Sequence, residues 1–422
     1  MFGQIRLELR KQPWLLHLAG LIAMLLLFAG PLGHALGVIP TTYRFFGGVR
    51  TPSYVNYTTD SEAKAVQKAR AAVEKQYVGA VKIRPANDTK AMLKLMRDLR
   101  RPLAQRDYLT ANKLTLAAID KEPLLANSYE LKQVINTTDA GSASLNADAM
   151  AASLHYYIDH RINSLQIIDE KVSAVTAVQG VMSRYGSHVY KVLVLDNKKQ
   201  SFVKLNAGTP LTWIFLCYVV LALALVFNFD RRNNTENLMR MSPRRDWAMV
   251  LVRAAVTLSI IVAVLALTVV LALAINAGLS GHTLGPLGYP LITTSAATVI
   301  VTPVWQYVGT ALAQYVLWAV LLSGVAYVVT QFVAEPLLVL LLCSLTFLGL
   351  PLKFLEVLPL PVRQLFPGLY TNPPALADRA DYFRLIPLHR ALTVLIVWTV
   401  VAWVLGVVVQ HVRYRKRGPW LN

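Results

Sequence analysis

Residues 229–247, FDRRNNTENLMRMSPRRDW, decide how this chain folds, because they separate two long apolar runs. The runs 209–227 and 248–277 are each long enough to cross a bilayer core of about 30 Å, which takes roughly 20 apolar residues as a helix. Short loops that are rich in arginine stay on the cytoplasmic side of a membrane. The stretch therefore predicts a charged cytoplasmic loop between two membrane-spanning helices.

The middle of this loop has the pattern of a short amphipathic helix. Leu238, Met239 and Met241 form an apolar edge, and Pro243 closes it. Exposed leucine and methionine on a small helix are typical of a docking surface. We therefore expect residues 229–247 to carry a cytoplasmic helix that binds another protein.

The composition excludes an ordinary soluble protein. Of 422 residues, 55% are hydrophobic and only 15% are charged, which is typical of a polytopic membrane protein. The formal net charge of +19 would suit a nucleic-acid partner, but the basic residues are spread along the chain and no nucleic-acid motif accompanies them. We interpret them as residues that orient the spans and face anionic lipid headgroups.

The first 13 residues predict a helix that lies in the membrane interface. Phe2, Ile5 and Leu9 recur at helical spacing with Arg6 and Arg10 around them. The first span then follows at residues 14–39.

A cleaved signal peptide is the competing interpretation of this region, because the start is basic and Gly33-His34-Ala35 resembles a weak cleavage site. Within the span, His17 is expected to pack against a neighbouring helix.

Residues 40–208 have the composition of a water-soluble domain, which we predict to be an extracytoplasmic α+β domain inserted after the first span. Amphipathic patterns predict helices at 61–77, at 88–100 and, as one long helix, at 146–185. Two β-rich runs flank Asp196-Asn197, which indicates a hairpin.

The remaining segments complete the predicted fold class, an α-helical polytopic membrane protein with six transmembrane helices. The second span is 209–228, and residues 248–410 hold spans three to six with outer re-entrant segments. Arg253 lies near the start of the third span, where its side chain is expected to snorkel to the cytoplasmic surface. The basic tail, 411–422, places both termini in the cytoplasm.

Sequence motifs for catalysis are absent. No phosphate-binding loop, HExxH, paired CxxC or GxSxG motif occurs, and His155 and His160 point to different sides of one helix, which argues against a metal site. Asp378, Asp381 and His389 are the residues that a membrane-embedded glycosyl or phosphoryl transferase would use. A solvated loop that faces lipid headgroups explains them more simply.

The order of segments resembles that of one known family. An interfacial helix before span one, a charged cytoplasmic helix between spans two and three, and broken apolar segments before the last span are together similar to the permease subunit of type-2 ABC exporters (ABC-2), in the subgroup with a large extracytoplasmic domain between the first two spans. The local match is NLMRMSPRRDW at residues 237–247. Met241-Ser242-Pro243 stands where the order Leu-Pro-Xaa-Ser is commoner in that family.

The resemblance implies a non-enzymatic transport subunit that exports an amphipathic substrate, such as a peptide, a lipid or a hydrophobic drug. The implied partners are cytoplasmic ABC ATPase subunits, a second permease chain and membrane lipid, with no nucleic acid. The chain itself would hold no cofactor, since ATP would bind the partner subunit. The protein would lie in the cell membrane of a bacterium. The residues expected to dock the ATPase are Glu236, Asn237, Leu238, Met239, Arg240, Met241, Arg244 and Arg245. A membrane receptor or immunity protein without catalytic activity is the main alternative, and the transferase is the other.

Overall fold

A computed structural model describes most of the chain. The described residues are 2–28, 41–44, 50–53, 59–83, 86–135, 147–165, 174–175, 178, 182, 189–196, 199–206, 208–233, 246–279, 284–285, 287–294, 299–349, 352, 355, 358–377, 383 and 386–417.

Helices account for most of the described residues. In chain order they are α1 (Phe2–Arg10), α2 (Trp14–Leu26), α3 (Thr59–Ile83), α4 (Asn87–Asp98), α5 (Arg100–Ala104), α6 (Tyr108–Lys121), α7 (Tyr129–Val134), α8 (Ala147–Asp159), α9 (Pro210–Phe227), α10 (Phe229–Arg232), α11 (Asp246–Leu279), α12 (Val304–Phe332), α13 (Pro336–Ser344), α14 (Leu360–Arg363), α15 (Pro373–Ala377) and α16 (Leu388–Arg417). Single 3₁₀ turns occur at Pro123–Asn127 and Pro367–Tyr370.

The strands of the described residues form three separate antiparallel hairpins. These pair β1 (Thr41–Arg44) with β2 (Arg50–Ser53), β3 (Val189–Asp196) with β4 (Lys199–Asn206), and β5 (Pro290–Thr294) with β6 (Val299–Pro303). The second hairpin confirms the prediction at Asp196-Asn197, because Asp196 lies opposite Lys199 in the register.

Four of the helices are long and apolar enough to cross a membrane. They are Pro210–Phe227, Trp247–Gly278, Val304–Phe332 and Leu388–Arg413. Such helices satisfy all their backbone hydrogen bonds internally, as a bilayer core requires. The chain is therefore an α-helical, membrane-embedded protein. The predicted first and fifth spans contain shorter helices, the 13-residue α2 and the 9-residue α13.

The chain divides into two compact units, and the first contains most of the apolar helices. Unit 1 comprises Met1–Leu27, Met182–Leu271 and Val308–Asn422. In this unit α9 packs against both α2 and α13. About 61% of α9 is buried, against 22% of the apolar part of α16. The central helix of unit 1 is therefore α9, whereas α16 leaves most of its apolar surface free of contacts within the chain.

Close helix contacts in unit 1 occur where a glycine of one helix faces an aromatic ring of another. A Cβ atom at Gly324 of α12 would lie 2.9 Å from Trp403 of α16, and one at Gly406 of α16 would overlap the ring of Tyr327 on α12. The Tyr327 and Trp403 ring centroids are 5.5 Å apart. The absence of side chains at these two glycines therefore lets α12 and α16 approach closely.

Unit 2 comprises Phe28–Val181 and Ala272–Tyr307, and its described part contains a helical core. Helices α3 to α8 contribute buried apolar side chains, among them Val73, Met96, Leu103, Leu131 and Leu154. The hairpin β5–β6 packs on α8. Because the hairpin β3–β4 belongs to unit 1, the single α+β domain at residues 40–208 stays a prediction.

One helix prediction is wrong, since α8 ends at Asp159 instead of continuing to residue 185. Arg161 adopts the left-handed conformation with φ 52°. The backbone N–H of Ile162 donates to the Tyr157 carbonyl at 2.9 Å, and that of Arg161 donates to the Ile158 carbonyl at 3.1 Å. These two bonds form a Schellman motif, which terminates a helix and usually has glycine at the left-handed position.

The fit between α12 and α16 can be tested at Gly406. We expect Gly406→Ala to destabilise the protein by about 1–3 kcal/mol, because the added methyl group overlaps the Tyr327 ring. The measurement is the midpoint of thermal unfolding of the purified chain in detergent.

Gly309→Ala on α12 is the matched control, because a Cβ at Gly309 meets no atom within 4 Å. Its midpoint should stay unchanged or rise, since alanine favours the helix over glycine. Equal midpoints for the two variants would contradict the contact.

Candidate functional site

The N-terminal helix buries a polar face. Glu8 is 0% exposed and Gln12, just beyond the helix, is 5% exposed, whereas Arg6, Leu9 and Arg10 are exposed. An isolated interfacial helix would bury its apolar residues instead. The burial of Glu8 indicates that α1 is held to the protein by a specific polar contact.

Four charged side chains meet at this face and form a buried charge cluster, which we define as Glu8, Lys11, Asp230 and Arg253. The Arg253 guanidinium holds Glu8 through two bonds, from Nε to Oε2 at 2.9 Å and from Nη2 to Oε1 at 3.2 Å. Nη2 of Arg253 also donates to Oδ2 of Asp230. Lys11 Nζ donates to Oδ1 of Asp230 at 2.8 Å and lies 3.4 Å from Oε1 of Glu8.

The buried charge cluster is electrically balanced, which makes its burial possible. Two carboxylates face two cations, and the side chains of all four are at most 11% exposed. Removing a charge from water costs several kcal/mol, so each buried ion requires opposite charges and good hydrogen bonds. The ring of Phe229, whose centroid is 5.6 Å from Lys11 Nζ, adds a cation–π contact.

The environment favours the ionised form of Asp230. Burial alone would raise the pKa of this carboxyl, but the charge of Arg253 and the hydrogen bonds from Lys11 and Arg253 outweigh burial and hold the pKa below its usual value. Asp230 is therefore a carboxylate at neutral pH, the form that accepts the bonds from Lys11 and Arg253.

A chain of hydrogen bonds extends the cluster along α2 to α9. Gln12 Nε2 donates to the Glu8 carbonyl and to Thr257 Oγ1, both at 3.1 Å. Gln12 Oε1 lies 3.4 Å from Nε2 of His17, and Nδ1 of His17 lies 2.8 Å from the Tyr218 hydroxyl. If Tyr218 donates to His17, and His17 to Gln12, every one of these groups has a partner. The expectation that His17 packs against a neighbouring helix is confirmed.

The cluster joins three segments that are distant in sequence. Glu8 and Lys11 belong to α1 and the turn after it, Asp230 to the short helix that follows α9, and Arg253 to the second turn of α11. The contact between Asp230 and Arg253 holds together the two ends of residues 231–252. Any force on that loop would therefore act on α9, α11 and the N-terminal helix together.

The structure places the predicted site residues as follows. All eight predicted docking residues, 236–241 with 244 and 245, fall outside the described residues. Of the predicted interfacial residues, Phe2 begins α1, Ile5 is half-buried, and Arg6, Leu9 and Arg10 are exposed. The predicted interfacial role of this helix stays a prediction.

One expectation needs correction, because Arg253 does not snorkel to the surface. It is 7% exposed and bonds to two carboxylates. The sequence contains a signal for this pairing, since Glu8 is the only acidic residue among the first 59 and Arg253 is the only charged residue of the run 247–278. A charge inside an apolar helix requires a partner, and few acids are available to it.

The alternative chemical sites gain no support from the described residues. His160 stacks on Tyr156 with ring centroids 4.0 Å apart, and His155 is exposed. Within the described ranges no three His, Cys, Asp or Glu residues lie close enough to hold a metal ion. Asp378 and Asp381 of the alternative transferase lie outside these ranges, and His389 is exposed at the start of α16.

Comparisons with known proteins give no assignment. No protein-family model matches the sequence, no curated protein sequence is similar to it, and no solved structure matches the fold.

The cluster predicts a large loss of stability when one charge is removed. Glu8→Gln should cost about 3–5 kcal/mol, because the Arg253 charge stays buried without its bidentate partner. Arg6→Gln is the matched control on the exposed face of the same helix and should leave the thermal midpoint in detergent unchanged.

The double variant Glu8→Leu with Arg253→Met removes one anion and one cation together and leaves the Lys11–Asp230 pair in place. This double variant should recover much of the stability that is lost when only one of the two charges is removed, since well-packed apolar side chains can replace a buried ion pair. A double variant that is as unstable as the sum of its single changes would contradict the pairing.

The cluster also predicts a specific pH dependence. The pKa of Asp230 is lower in the folded protein than in the unfolded chain, so its stabilising contribution is present above the unfolded pKa of about 3.9. This contribution is lost as pH falls through the folded pKa. The difference in unfolding free energy between the native chain and Asp230→Asn should shrink as pH is lowered below about 4, as measured by denaturation in detergent. A difference that does not change between neutral and acid pH would show that Asp230 is not ionised in the fold.

Proposed function

We propose that this chain is the membrane subunit of an ATP-driven exporter of the ABC-2 type, and that a separate cytoplasmic subunit hydrolyses the ATP. One observation carries the proposal. The buried charge cluster connects the N-terminal helix, the end of α9 and the start of α11 at the base of residues 231–252. A motor that docks on this loop would act on two apolar helices through a single rigid junction.

The proposed topology follows from the charges beside the apolar helices. We propose six crossings, in which α2 and α13 with their flanking residues supplement the four long helices. Residues 231–245 contain five arginines, and 411–417 contain four basic residues, which favours the cytoplasmic side for both. Both termini would then be cytoplasmic in a bacterial cell membrane, with an α+β domain of residues 40–208 outside.

The proposed cargo is amphipathic, such as a peptide, a lipid or a hydrophobic drug. Arg253 is the only Lys, Arg, Asp or Glu in three of the four apolar helices, and its charge is fully used by Glu8 and Asp230. Pathways for hydrated ions normally present charged or carbonyl groups to the pore. Helices without free charges favour a substrate that has apolar surface of its own.

The proposed partners are two ATPase subunits and a second permease chain, which is identical or related. The ATPase would contact Glu236, Asn237, Leu238, Met239, Arg240, Met241, Arg244 and Arg245, together with the exposed side of α1. Arg6, Leu7, Leu9 and Arg10 are exposed on that helix and are available for such a contact.

The decisive experiment is co-expression of the chain with the genes that flank its own, followed by purification and an ATPase assay. We expect an ATPase to co-purify and its activity to depend on this chain. Arg244→Glu with Arg245→Glu should abolish co-purification and transport while the thermal midpoint stays unchanged.

Lys113→Glu with Lys121→Glu is the matched control, because it makes the same change of charge at exposed positions of α6. It should leave co-purification intact. A chain that elutes alone, or an ATPase that is indifferent to the reversal at 244 and 245, would exclude the proposal.

A further inference from the structure

Unit 2 has a pronounced charge asymmetry that the proposed transport function does not explain. Residues 59–104, which contain α3 to α5, hold eleven Lys and Arg against five Asp and Glu. Residues 105–165, which contain α6 to α8, hold five Lys and Arg against seven Asp and Glu. Of these two stretches, only residues 59–104 therefore have an excess of positive charge.

The lysines of α3 form a straight row. Lys64, Lys68, Lys75 and Lys82 are all exposed. At 100° per residue they fall within about 40° of one another around the helix, and a rise of 1.5 Å per residue spreads them over about 27 Å. Val66 and Val73 on the other side of the helix are buried in the core. The row thus lies on the solvent side along most of the helix.

A second basic row lies on α4 beside the first. Lys90, Lys94 and Arg97 are exposed at spacings of four and three residues, which places them on one face. Arg97 Nε lies 4.0 Å from Oε1 of Glu74, the residue before Lys75 on α3. This contact shows that the two rows are neighbours on the surface.

Among the described residues, acidic groups beside the two rows are fewer than the basic ones. Glu74 is shared between Arg70 and Arg97, and Asp88 and Asp98 are the acids of α4. Between the lysines of α3 lie Ala71, which has only a methyl group, and Gly79, which has no side chain, so the row stays accessible. The ammonium groups are therefore free to bind an anionic partner.

We propose that this double row, defined as Lys64, Lys68, Lys75, Lys82, Lys90, Lys94 and Arg97, binds a linear polyanion with closely spaced phosphate groups. Lysine ammonium groups bind phosphate as compact point charges and need no fixed orientation. A linear polymer can follow a straight row of about 27 Å and contact several lysines at once, whereas a small anion can contact only one or two.

An anionic membrane surface is the less suitable partner. Helices that bind membranes through one face insert large apolar side chains next to their basic residues. Among the described residues of 59–104, the only large apolar side chain with high exposure is Ile83, at the end of α3. The apolar face of α3 is already used in the core of unit 2.

The test is titration of the full chain, in a non-ionic detergent at low salt, with inorganic polyphosphate long enough to span the row. Pyrophosphate and phosphatidylglycerol vesicles are the comparison ligands. Lys68→Gln with Lys75→Gln should weaken polyphosphate binding about 25-fold, since each lysine near an anionic surface contributes about five-fold. It should also lower the slope of log affinity against log salt by about 2.

Lys113→Gln with Lys121→Gln removes the same charge from exposed positions of α6 and should change the affinity less than two-fold. Unfolding midpoints of both variants should match that of the native chain, because all four side chains are exposed. The single change Lys75→Gln gives a second measure, with an expected loss of polyphosphate affinity of about five-fold.

Three results would overturn the inference. They are equal losses in the two double variants, pyrophosphate binding as tight as polyphosphate binding, and binding to the vesicles without binding to polyphosphate. None of them bears on ATPase co-purification, so the inference and the transport proposal fail separately.

Discussion

The burial of Arg253 is the constraint on which the organisation of unit 1 depends. A guanidinium in the second turn of an apolar helix is costly unless acids accept its hydrogen bonds. Glu8, 245 residues away in sequence, and Asp230, 23 residues away, both do so. Those two acids then need Lys11, which contacts both. Because each ion is buried, no member of the cluster can be removed without leaving another uncompensated. The arrangement therefore specifies which segments meet at the start of α11, in addition to any stability that it provides.

The same junction supports the proposal that a motor acts on the loop between α9 and α11. A loop that joins two helices transmits force only if its ends cannot separate, and the Asp230–Arg253 bond holds the ends of this loop together. The polar chain through Gln12 and His17 to Tyr218 continues the connection along the neighbouring helices. The basic rows belong to unit 2 and have a different kind of chemistry, so the two proposed interaction sites are independent of each other.

The sequence predicts those parts of the fold that depend on local patterns. It does not predict the parts that depend on contacts between residues distant in sequence. Long apolar runs predict the four long helices, and Asp196-Asn197 between β-rich runs predicts the hairpin. The end of α8 was not predicted from the sequence, because Arg161 occupies the left-handed position where glycine is the usual signal of a helix end. The burial of Glu8 was not predicted because the spacing of Phe2, Ile5 and Leu9 indicates a helix on a membrane surface. The scarcity of acids near the N-terminus was the one signal for its pairing with Arg253.

The reciprocal fit of Gly324 against Trp403 and Gly406 against Tyr327 limits how unit 1 can move. Turning α16 about its own axis by one residue, about 100°, would bring Leu405 or Val407 against the tyrosine ring in place of a hydrogen atom. Such a turn of α16 against α12 is therefore sterically blocked, whereas rotation of the pair as a single body is not. Whatever motion accompanies activity, α12 and α16 should travel together, and displacement has to occur at surfaces that lack such interlocking contacts.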